Sequence, residues 1–343
     1  IEDDALGREF ADHLLTQQAR GVQVRMLYDS FGSLNTPREF FERLQAGGIE
    51  VIEFNPFNPL TARGDWSPNH RDHRKILIVD GRIAFIGGIN ISIVYSSGSV
   101  LRRKARRPID PIEWRDTDLQ IEGPVVAELQ KLFLESREKQ GGKPLPAADT
   151  ASLFPLLGAP GKDIVRAIGS TPDDPYSLIY LTLISAIGNA EQHVHLTQAY
   201  FVPDTQLLTA LIDAARRGVD VKLILPSHTD SALTYHAGRG HYAVLLEAGV
   251  GIYERRGALL HAKTIVIDGV WSSVGSTNLD WRSFMDNDEV NAVVIGRDFA
   301  AQMAAMFAAD LAASEAITRE AWQQRSLMLR LQEWMASWWQ RLL

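Results

Sequence analysis

Two copies of one spaced set of polar residues are the feature of this sequence most able to do chemistry. Each copy follows the pattern H-x-K-x4-D-x6-G-[GS]-x-N. The members are His73, Lys75, Asp80 and Asn90 in the first copy, and His261, Lys263, Asp268 and Asn278 in the second. A lone His-x-Lys is common in proteins, but a pattern of this length that recurs at every position indicates a duplicated functional element.

The residue types suit the exchange of a phosphodiester. Such an exchange needs a nucleophile and an acid that protonates the leaving alkoxide, and a histidine can fill either role. Lysine and asparagine side chains can surround the non-bridging oxygens of a phosphate, where fixed donors and cations stabilise developing charge. If the two halves pack about a pseudo-two-fold axis, His73 and His261 face each other across one phosphate. The motif residues offer no metal-ligand set, so we expect neither a metal nor another cofactor.

Four acidic residues accompany the two copies, and they receive different roles. Asp116 and Glu289 occupy matching places, each seven residues before a glycine and at the start of an apolar strand. A carboxylate there can hold the Nδ1 proton of an imidazole and leave Nε2 for the reaction, so both acids join the predicted catalytic set. Asp80 and Asp268 lie five residues after the lysines. On a strand they would face away from His and Lys, so we assign them a structural role, such as holding the following turn.

The elements that must position these side chains can be predicted from the surrounding pattern. We expect the His and Lys of each copy to lie on one strand, where residues i and i+2 share a face. The apolar residues after each lysine suit a buried strand. Ahead of each copy, a helical stretch ends in Ala-Gly and is followed by a further strand. Strands that alternate with helices predict an α/β layer architecture in each half.

The repeat also divides the chain. We predict a first repeat over residues 1–143, a linker rich in glycine and proline over 144–162, a second repeat over 163–317, and a C-terminal amphipathic helix over 318–343. Only 20 residues precede Gly21, which leaves no room for the strand that opens the second repeat. We therefore expect the first repeat to lack its opening strand and helix. A genuinely shorter first repeat is the alternative.

The C-terminal segment carries apolar residues at helical spacing with arginines between them. They are Leu327, Leu331, Trp334, Met335, Trp338, Trp339 and Leu342, with Arg325, Arg330 and Arg341. Tryptophan and arginine on one amphipathic helix suit a membrane interface. The alternative is that this helix docks on the protein core.

Composition excludes several functional classes. The sequence has no cysteine, which rules out disulfides, thiolate catalysis and cysteine-ligated zinc. A formal net charge of -7 gives no global electrostatic case for nucleic-acid binding, and we expect no nucleic-acid partner. No apolar run reaches the roughly 18 residues that a membrane-spanning helix requires.

The duplicated pattern resembles the HKD signature of the phospholipase D superfamily, over nearly the whole chain. Further segments are similar to those of bacterial cardiolipin synthases. They include Trp114-Arg115-Asp116-Thr117, Ala199-Tyr200-Phe201-Val202-Pro203-Asp204 and Asp280-Trp281-Arg282-Ser283-Phe284. The resemblance implies two phospholipase-D-like α/β/α repeats with the active site at their interface. It also implies that His73 is the nucleophile, that His261 is the general acid and base, and that the motif side chains bind phosphate: Lys75, Lys263, Asn90 and Asn278.

The same resemblance implies a function. The chain would be a phosphatidyltransferase that makes cardiolipin from two phospholipids, with phosphatidylglycerol as donor and acceptor, through a phosphatidyl-histidine intermediate. Its partners would be phospholipid substrates and a membrane surface, and its place the bacterial inner membrane, as a peripheral or membrane-associated protein. The alternatives are a phospholipase D hydrolase that yields phosphatidic acid, and a metal-independent nuclease of the same superfamily. A further feature is a basic cluster, which we interpret either as a patch that binds anionic lipid head groups or as a solvated loop. It comprises Arg102, Arg103, Lys104, Arg106 and Arg107.

Overall fold

The structure is a computed structural model that describes residues 1–57, 67, 69–95 and 113–338. The first half of the chain alternates helices and strands, with a short 3-10 turn at Ile93–Tyr95. Its elements are α1 (Ala5–Ala19), β1 (Arg25–Asp29), α2 (Arg38–Ala46), β2 (Glu50–Phe54), β3 (Arg71–Asp72), β4 (Ile76–Val79), β5 (Ile83–Gly87), β6 (Glu113–Arg115), β7 (Asp118–Glu122) and α3 (Val126–Lys139). The basic cluster around Arg103 lies outside the described residues.

A short helix, α4 (Ala147–Ser152), lies within the segment predicted as a linker, and the second half follows it. The elements of the second half are β8 (Ile164–Ser170), α5 (Leu178–Gly188), β9 (His193–Gln198), α6 (Thr205–Arg216), β10 (Asp220–Pro226), α7 (Ala232–Arg239), α8 (Tyr242–Glu247), β11 (Gly251–Arg255), β12 (Ala258–Leu260), β13 (Lys263–Ile267), β14 (Trp271–Gly275), α9 (Trp281–Met285), β15 (Asn287–Ile295), α10 (Arg297–Ala312) and β16 (Ser314–Ile317). The predicted α/β class is confirmed, whereas the division at 143, 162 and 317 stays a prediction.

The second half forms a continuous mixed sheet with the strand order β16-β11-β10-β9-β13-β14-β15-β8. Strands β9, β10 and β11 are parallel, and β13 runs antiparallel to β9. All five residues of β13 are buried, as its run of apolar side chains predicts for a strand covered on both faces. The largest apolar cluster packs helices α5, α6 and α8 against this sheet, so the second motif is held on a rigid support.

The sheet of the first half is in two pieces, β1-β2 and β4-β5-β7. By the repeat, β1 matches β10 and β4 matches β13, and in the second half β9 stands between those two strands. Within the described part of the chain, no strand stands between β1 and β4. This is the position for which the sequence offers no matching segment.

Two short strands cross from one half to the other. Strand β3 of the first half pairs with the start of β15, with Arg71 opposite Asn287 and Asp72 opposite Asp288. Strand β12 of the second half pairs with β6 of the first half in the same parallel sense. Each histidine motif is therefore preceded by a short strand that pairs with a strand of the other half.

The C-terminal segment forms two helices, not the single helix predicted for it. They are α11 (Arg319–Gln323) and α12 (Leu327–Ser337). The break follows from capping, because Ser326 accepts a hydrogen bond from the amide of Leu329 and so starts a new helix. Residues Trp339, Arg341 and Leu342 lie outside the described part of the chain. No helix among the described residues has the length and apolar character needed to cross a membrane.

Helix α11 docks on the core through one tryptophan. Trp322 is 4% exposed, its ring centroid lies 4.9 Å from that of Tyr242, and the Cζ atoms of Arg239 and Arg325 lie 4.8 and 4.3 Å from its ring. By contrast, Trp334 on α12 is 55% exposed. Trp322 and Trp334 therefore have different roles, one in the core and one on the surface.

We expect Trp322→Ala to lower the free energy of unfolding by about 3–5 kcal/mol, because it leaves a large cavity under α11. Trp334→Ala is the matched control and should change it by less than about 0.5 kcal/mol, as is usual for exposed positions. Urea denaturation followed by circular dichroism measures both. Equal losses in the two variants would contradict the docking role of Trp322.

Candidate active site

Each motif histidine lies where the two halves cross. The amide nitrogen of His73 donates to the carbonyl oxygen of Asp288 at 2.9 Å, and that of His261 donates to the carbonyl oxygen of Arg115 at 2.8 Å. Asp288 and Arg115 are the residues immediately before the two predicted catalytic acids. The backbone of each half thus fixes its own histidine next to an acid of the other half.

The expectation that the His and Lys of each motif share one strand is wrong. Strand β3 ends just before His73 and β4 begins just after Lys75, while β12 ends just before His261 and β13 begins at Lys263. The physical reason is that the backbone at each histidine is bonded to the opposite half. The chain can therefore join the sheet of its own half only after the histidine, where the hydrogen bonds to the other half end.

The first imidazole pairs with the second acid. Nδ1 of His73 lies 2.9 Å from Oε1 and 3.1 Å from Oε2 of Glu289. Glu289 is fully buried, and the Ser276 hydroxyl also donates to its Oε2. Because an ionised carboxylate only accepts hydrogen bonds, Nδ1 carries the proton, and Nε2 keeps a free lone pair.

Opposing effects set the pKa values of this pair. Burial alone would raise the pKa of Glu289, but His73, Lys75 and the Ser276 hydroxyl hold it below its usual value. Burial lowers the pKa of His73, and the charge of Glu289 opposes this. At neutral pH the pair is therefore a neutral imidazole beside an ionised carboxylate, the form that a nucleophilic histidine requires.

The second imidazole pairs with the first acid. Nδ1 of His261 lies 2.7 Å from Oδ2 of Asp116, whose Oδ1 accepts from the amide of Thr117 at 2.7 Å. Burial raises the pKa of Asp116 to about 6, although the ammonium of Lys263 opposes the shift. Burial, followed by the charge of Lys263, holds the pKa of His261 well below its usual value. The pairs are alike in geometry and different in electrostatics.

The two motif lysines bind the backbone beneath the histidines. Nζ of Lys75 donates to the carbonyl oxygen of His73 at 2.6 Å, and Nζ of Lys263 donates to that of His261 at 2.5 Å. Burial lowers the pKa of Lys75 and lowers that of Lys263 to about 7, and in both the charges of the two catalytic acids oppose the shift. An anionic phosphate would restore their charge, because it compensates the loss of hydration.

One cavity of about 890 Å³ joins the two motifs. Both histidines line it, as do Lys75, Asn90 and Asn278. The amide of Asn90 donates to the hydroxyl of Tyr95 at 2.9 Å. The structure thus brings three of the four predicted phosphate-binding side chains to one space that opens between the two imidazoles. The fourth, Lys263, is 2% exposed and lies behind His261 without lining this space.

The remaining motif acids lie in hairpin turns. Asp80 and Asp268 have φ values of 55° and 51°, and each is followed by a glycine with φ above 60°. Two successive residues with positive φ form the tight turn that matches the twist of a β-hairpin. The carboxylate of Asp268 also accepts from the amide of His193 at the start of β9. These acids shape the hairpin behind each lysine and do not line the cavity.

Sequence reasoning missed a ring of aromatic side chains around His261. The ring centroids of Trp114, Tyr95 and Tyr200 lie 5.2, 5.6 and 6.2 Å from that of His261. Trp114 and Tyr200 stand in segments that carry the resemblance to cardiolipin synthases, which was the available signal. Tyr95 has no aromatic counterpart in the second repeat, where Ser283 takes the same place.

The residue between His and Lys of the first motif was also missed. The Arg74 guanidinium donates to the carbonyl oxygens of Glu289 and Ser170 at 3.1 and 2.8 Å and to the Ser136 hydroxyl at 2.9 Å. It thereby ties β15 to β8 and α3 behind the catalytic acid. The matching residue of the second motif is Ala262, so the repeat gave no signal for this role.

In the ranges that the structure describes, no group of three or more metal-ligating side chains is present. The donor set of the cavity is imidazole, ammonium and amide, and the two carboxylates are bonded to the imidazoles.

Comparison with known proteins identifies the family. The family model described as "Cardiolipin synthase, PLD-like domain" matches residues 5–96 and 183–311, which include both motifs. The chain belongs to this phospholipase D-like family. The predicted resemblance and the duplicated α/β fold are confirmed.

Named relatives of the family cover most of the chain. It is 35% identical over 334 residues to the cardiolipin synthase of Geobacillus kaustophilus, and 35% identical over 337 residues to cardiolipin synthase A of Pseudomonas aeruginosa. Each match covers 97% of this chain, and the chain spans 64% of the length of each relative. The structure of phosphatidylserine synthase from Haemophilus influenzae Rd KW20 aligns over 99% of this chain and 86% of its own, with a TM-score of 0.72 and 13% identity, which shows a shared fold.

The pKa values predict a window of activity toward phosphodiesters. Below about pH 6, Asp116 takes up a proton and stops accepting from His261; above about pH 7, Lys263 loses its charge in the free enzyme. We expect kcat/KM, which reports the free enzyme, to fall on both sides of this window. On the alkaline side kcat should stay flat, because bound phosphate raises the pKa of Lys263.

Steady-state kinetics from pH 5 to 9 with a short-chain phospholipid and a chelator tests this. A kcat/KM that stays constant from pH 7 to 9 would show that the charge of Lys263 is not needed for binding.

Proposed function

We propose that the chain is a phosphatidyltransferase that makes cardiolipin from two phospholipids, with phosphatidylglycerol as donor and acceptor, through a phosphatidyl-histidine intermediate. The observation that carries this proposal is the pair of exchanged imidazole–carboxylate contacts on one cavity. The cavity supplies two histidines, Lys75 and two asparagines for one phosphate, and the buried Lys263 lies beside His261. The named cardiolipin synthase relatives support a phospholipid substrate.

The reaction has two steps. In the first, Nε2 of His73 attacks the phosphorus of the donor lipid; a P–N bond forms, the P–O bond to the head group breaks, and His261 gives a proton to the leaving glycerol. In the second, His261 takes the proton of the acceptor's hydroxyl, whose oxygen attacks phosphorus and frees His73. Two phosphatidylglycerols thus yield one cardiolipin and one glycerol, with no change in proton count.

The assignment of roles rests on the electrostatic difference between the two pairs. Glu289 has a lowered pKa and stays ionised, which keeps its negative charge beside His73 and favours attack by that imidazole. The side chain of His73 is also 27% exposed, against 6% for His261. The phosphate raises the pKa of His261 on binding, so this imidazole gains the proton that it later donates.

The first experiment is lipid mass spectrometry after incubation with vesicles of phosphatidylglycerol and phosphatidylethanolamine in the presence of a chelator. We expect the unmodified protein to form cardiolipin, and His73→Ala to reduce its formation by at least about 10⁴-fold, because the nucleophile is lost. Phosphatidic acid alone would indicate hydrolysis. No change in any lipid would contradict the proposal.

His261→Ala is the control for the order of roles. This variant should accumulate a phosphorylated His73, since the adduct forms but its breakdown lacks a base. Peptide mass spectrometry locates the adduct. If an adduct appears on His261 in His73→Ala instead, the two roles are reversed.

We further propose that the protein acts at the surface of the bacterial inner membrane and binds it through α12. One face of this helix is strongly exposed: Leu327, Leu331, Trp334 and Trp338 are 81, 47, 55 and 71% exposed. The opposite face is anchored, because the buried Glu333 pairs with Arg325 at 2.9 Å. Helix α12 packs on α7, and Thr234 of α7 lines the cavity. Helix α12 therefore lies against an element that lines the cavity into which a lipid substrate would enter.

A charge placed on this face should weaken membrane binding. We expect Trp334→Asp to reduce binding to phosphatidylglycerol vesicles by about tenfold or more, since the apolar area of one large side chain is lost. Tyr176→Asp is the control, because Tyr176 is 69% exposed on a different loop. Vesicle sedimentation measures both. Equal binding of the two variants would show that α12 is not the contact surface.

A further inference from the structure

We propose that Tyr95, Trp114 and Tyr200, together with Asp230, form the subsite for the alcohol head group, both for the one that leaves and for the one that enters. This inference rests on the proposed function and deepens it. The ligand class is an alcohol that carries a second hydrogen-bond donor, a hydroxyl or an ammonium, and no carboxylate.

The three aromatic rings surround the imidazole that handles the alcohol proton. Their centroids lie within 5.2–6.2 Å of that of His261, and the rings of Tyr95 and Trp114 are 4.9 Å apart. The hydroxyl of Tyr95 lies 3.4 Å from Nδ1 of His261. All three side chains line the catalytic cavity. They therefore form walls around the space in which a leaving oxygen receives its proton.

A carboxylate completes this part of the cavity. Asp230 lines the cavity, is exposed to it, and accepts a hydrogen bond from the Tyr200 hydroxyl. It pairs with no arginine or lysine in the described ion pairs, whereas the catalytic acids are bonded to histidines. A carboxylate in this position can accept from a second hydroxyl or an ammonium of the head group, and it repels a head group that carries a carboxylate.

The repeat shows that this arrangement is confined to one side of the site. The residue two places before each catalytic acid is Trp114 on the His261 side and Asn287 on the His73 side. On the His73 side the cavity is lined by Arg282, whose place in the first repeat is taken by Val94. The two sides of the cavity thus differ: three aromatic rings surround His261, whereas Arg282 lines the other side together with Asp29, Asp72 and Asp280.

This difference fits the two ends of the substrate. The phosphatidyl group that becomes bonded to His73 is anionic, and the guanidinium of Arg282 suits it. The part of the alcohol that lies beside His261 carries a hydroxyl or an ammonium group. Aromatic faces pack against its carbon atoms and interact with an ammonium, as in known cages for organic cations. Asp230 then acts as a specificity residue that contacts substrate.

The test uses phosphatidylglycerol vesicles as donor and water-soluble alcohols as competing acceptors: glycerol, ethanolamine and serine. The measured quantity is the ratio of phosphatidyl-alcohol to phosphatidic acid, which reports how well an alcohol competes with water for the same intermediate. For the unmodified protein we expect transfer to glycerol and ethanolamine to exceed transfer to serine, whose carboxylate faces Asp230.

Two variants address the subsite directly. Asp230→Asn is isosteric and exposed, and it should lower the transfer ratio for ethanolamine by about tenfold, because a charge-assisted hydrogen bond is lost. It should also narrow the difference between ethanolamine and serine. Trp114→Leu should lower the ratio for every alcohol, because water gains access to the intermediate. Thermal unfolding compared with the unmodified protein verifies that both variants fold.

Arg282→Gln is the matched variant on the opposite side of the cavity. We expect it to lower total turnover through weaker binding of the donor, without a change in the transfer ratio. If the ratio instead responds to Arg282→Gln and not to Asp230→Asn or Trp114→Leu, the head group binds on the His73 side and the inference is wrong. A failure of the proposed function is distinguishable, since the unmodified protein would then yield neither phosphatidyl-alcohol nor phosphatidic acid.

Discussion

The exchange of carboxylates between the two halves is the interaction on which the site depends. Glu289 is 0% exposed, and an unpaired charge in such a place destabilises a protein by several kcal/mol. It remains ionised because His73, from the other half, donates to it. Asp116 and His261 stand in the reciprocal relation. Among the described residues, neither half alone pairs its own motif histidine with a carboxylate, so the imidazole–carboxylate pairs of His73 and His261 exist only when the halves are packed together. The paired strands β3–β15 and β6–β12 fix this packing at the backbone.

Within this symmetric frame, small differences in volume give the two pairs different chemistry. At the variable position of the motif, a Cβ on Gly88 would lie 2.3 Å from Oδ1 of Asp116, so only glycine leaves room for that carboxylate. In the second half, the longer Glu289 reaches past this point, and Ser276 fits and donates to it. The hydroxyl helps to keep Glu289 ionised, whereas Asp116 has a pKa raised to about 6. A glycine-to-serine difference that looks neutral in sequence thus contributes to the electrostatic difference between the two imidazole–carboxylate pairs.

The sequence predicted which residues form the site more fully than it predicted which of them contact one another. The duplicated spacing singled out all of the motif residues, and the cavity brings His73, His261, Lys75, Asn90 and Asn278 together. It could not show that each acid serves the opposite histidine, because identical repeats allow either pairing. It predicted one strand through His-x-Lys, since local periodicity does not register that β3 and β12 are bonded to the other half. Arg74 and Tyr95 were missed for a related reason: neither recurs in the second repeat.

The balance between transfer and hydrolysis in such a site is decided after the first step, when the phosphatidyl group is on the nucleophile and the head group has left. The same imidazole, His261, can then take a proton from an alcohol or from water, and its pKa does not distinguish them. What distinguishes an alcohol from water is how well each fits the space next to Nε2 of His261. Flat aromatic surfaces offer water few hydrogen bonds. A carboxylate at a fixed distance, by contrast, can accept a hydrogen bond from the second hydroxyl or ammonium of an alcohol and so stabilises its binding. The rings of Tyr95, Trp114 and Tyr200 with Asp230 provide this combination on one side of the cavity. In the proposed reaction, the repeated residues therefore carry out the chemistry, and the residues that break the symmetry of the repeat are those that would select the acceptor.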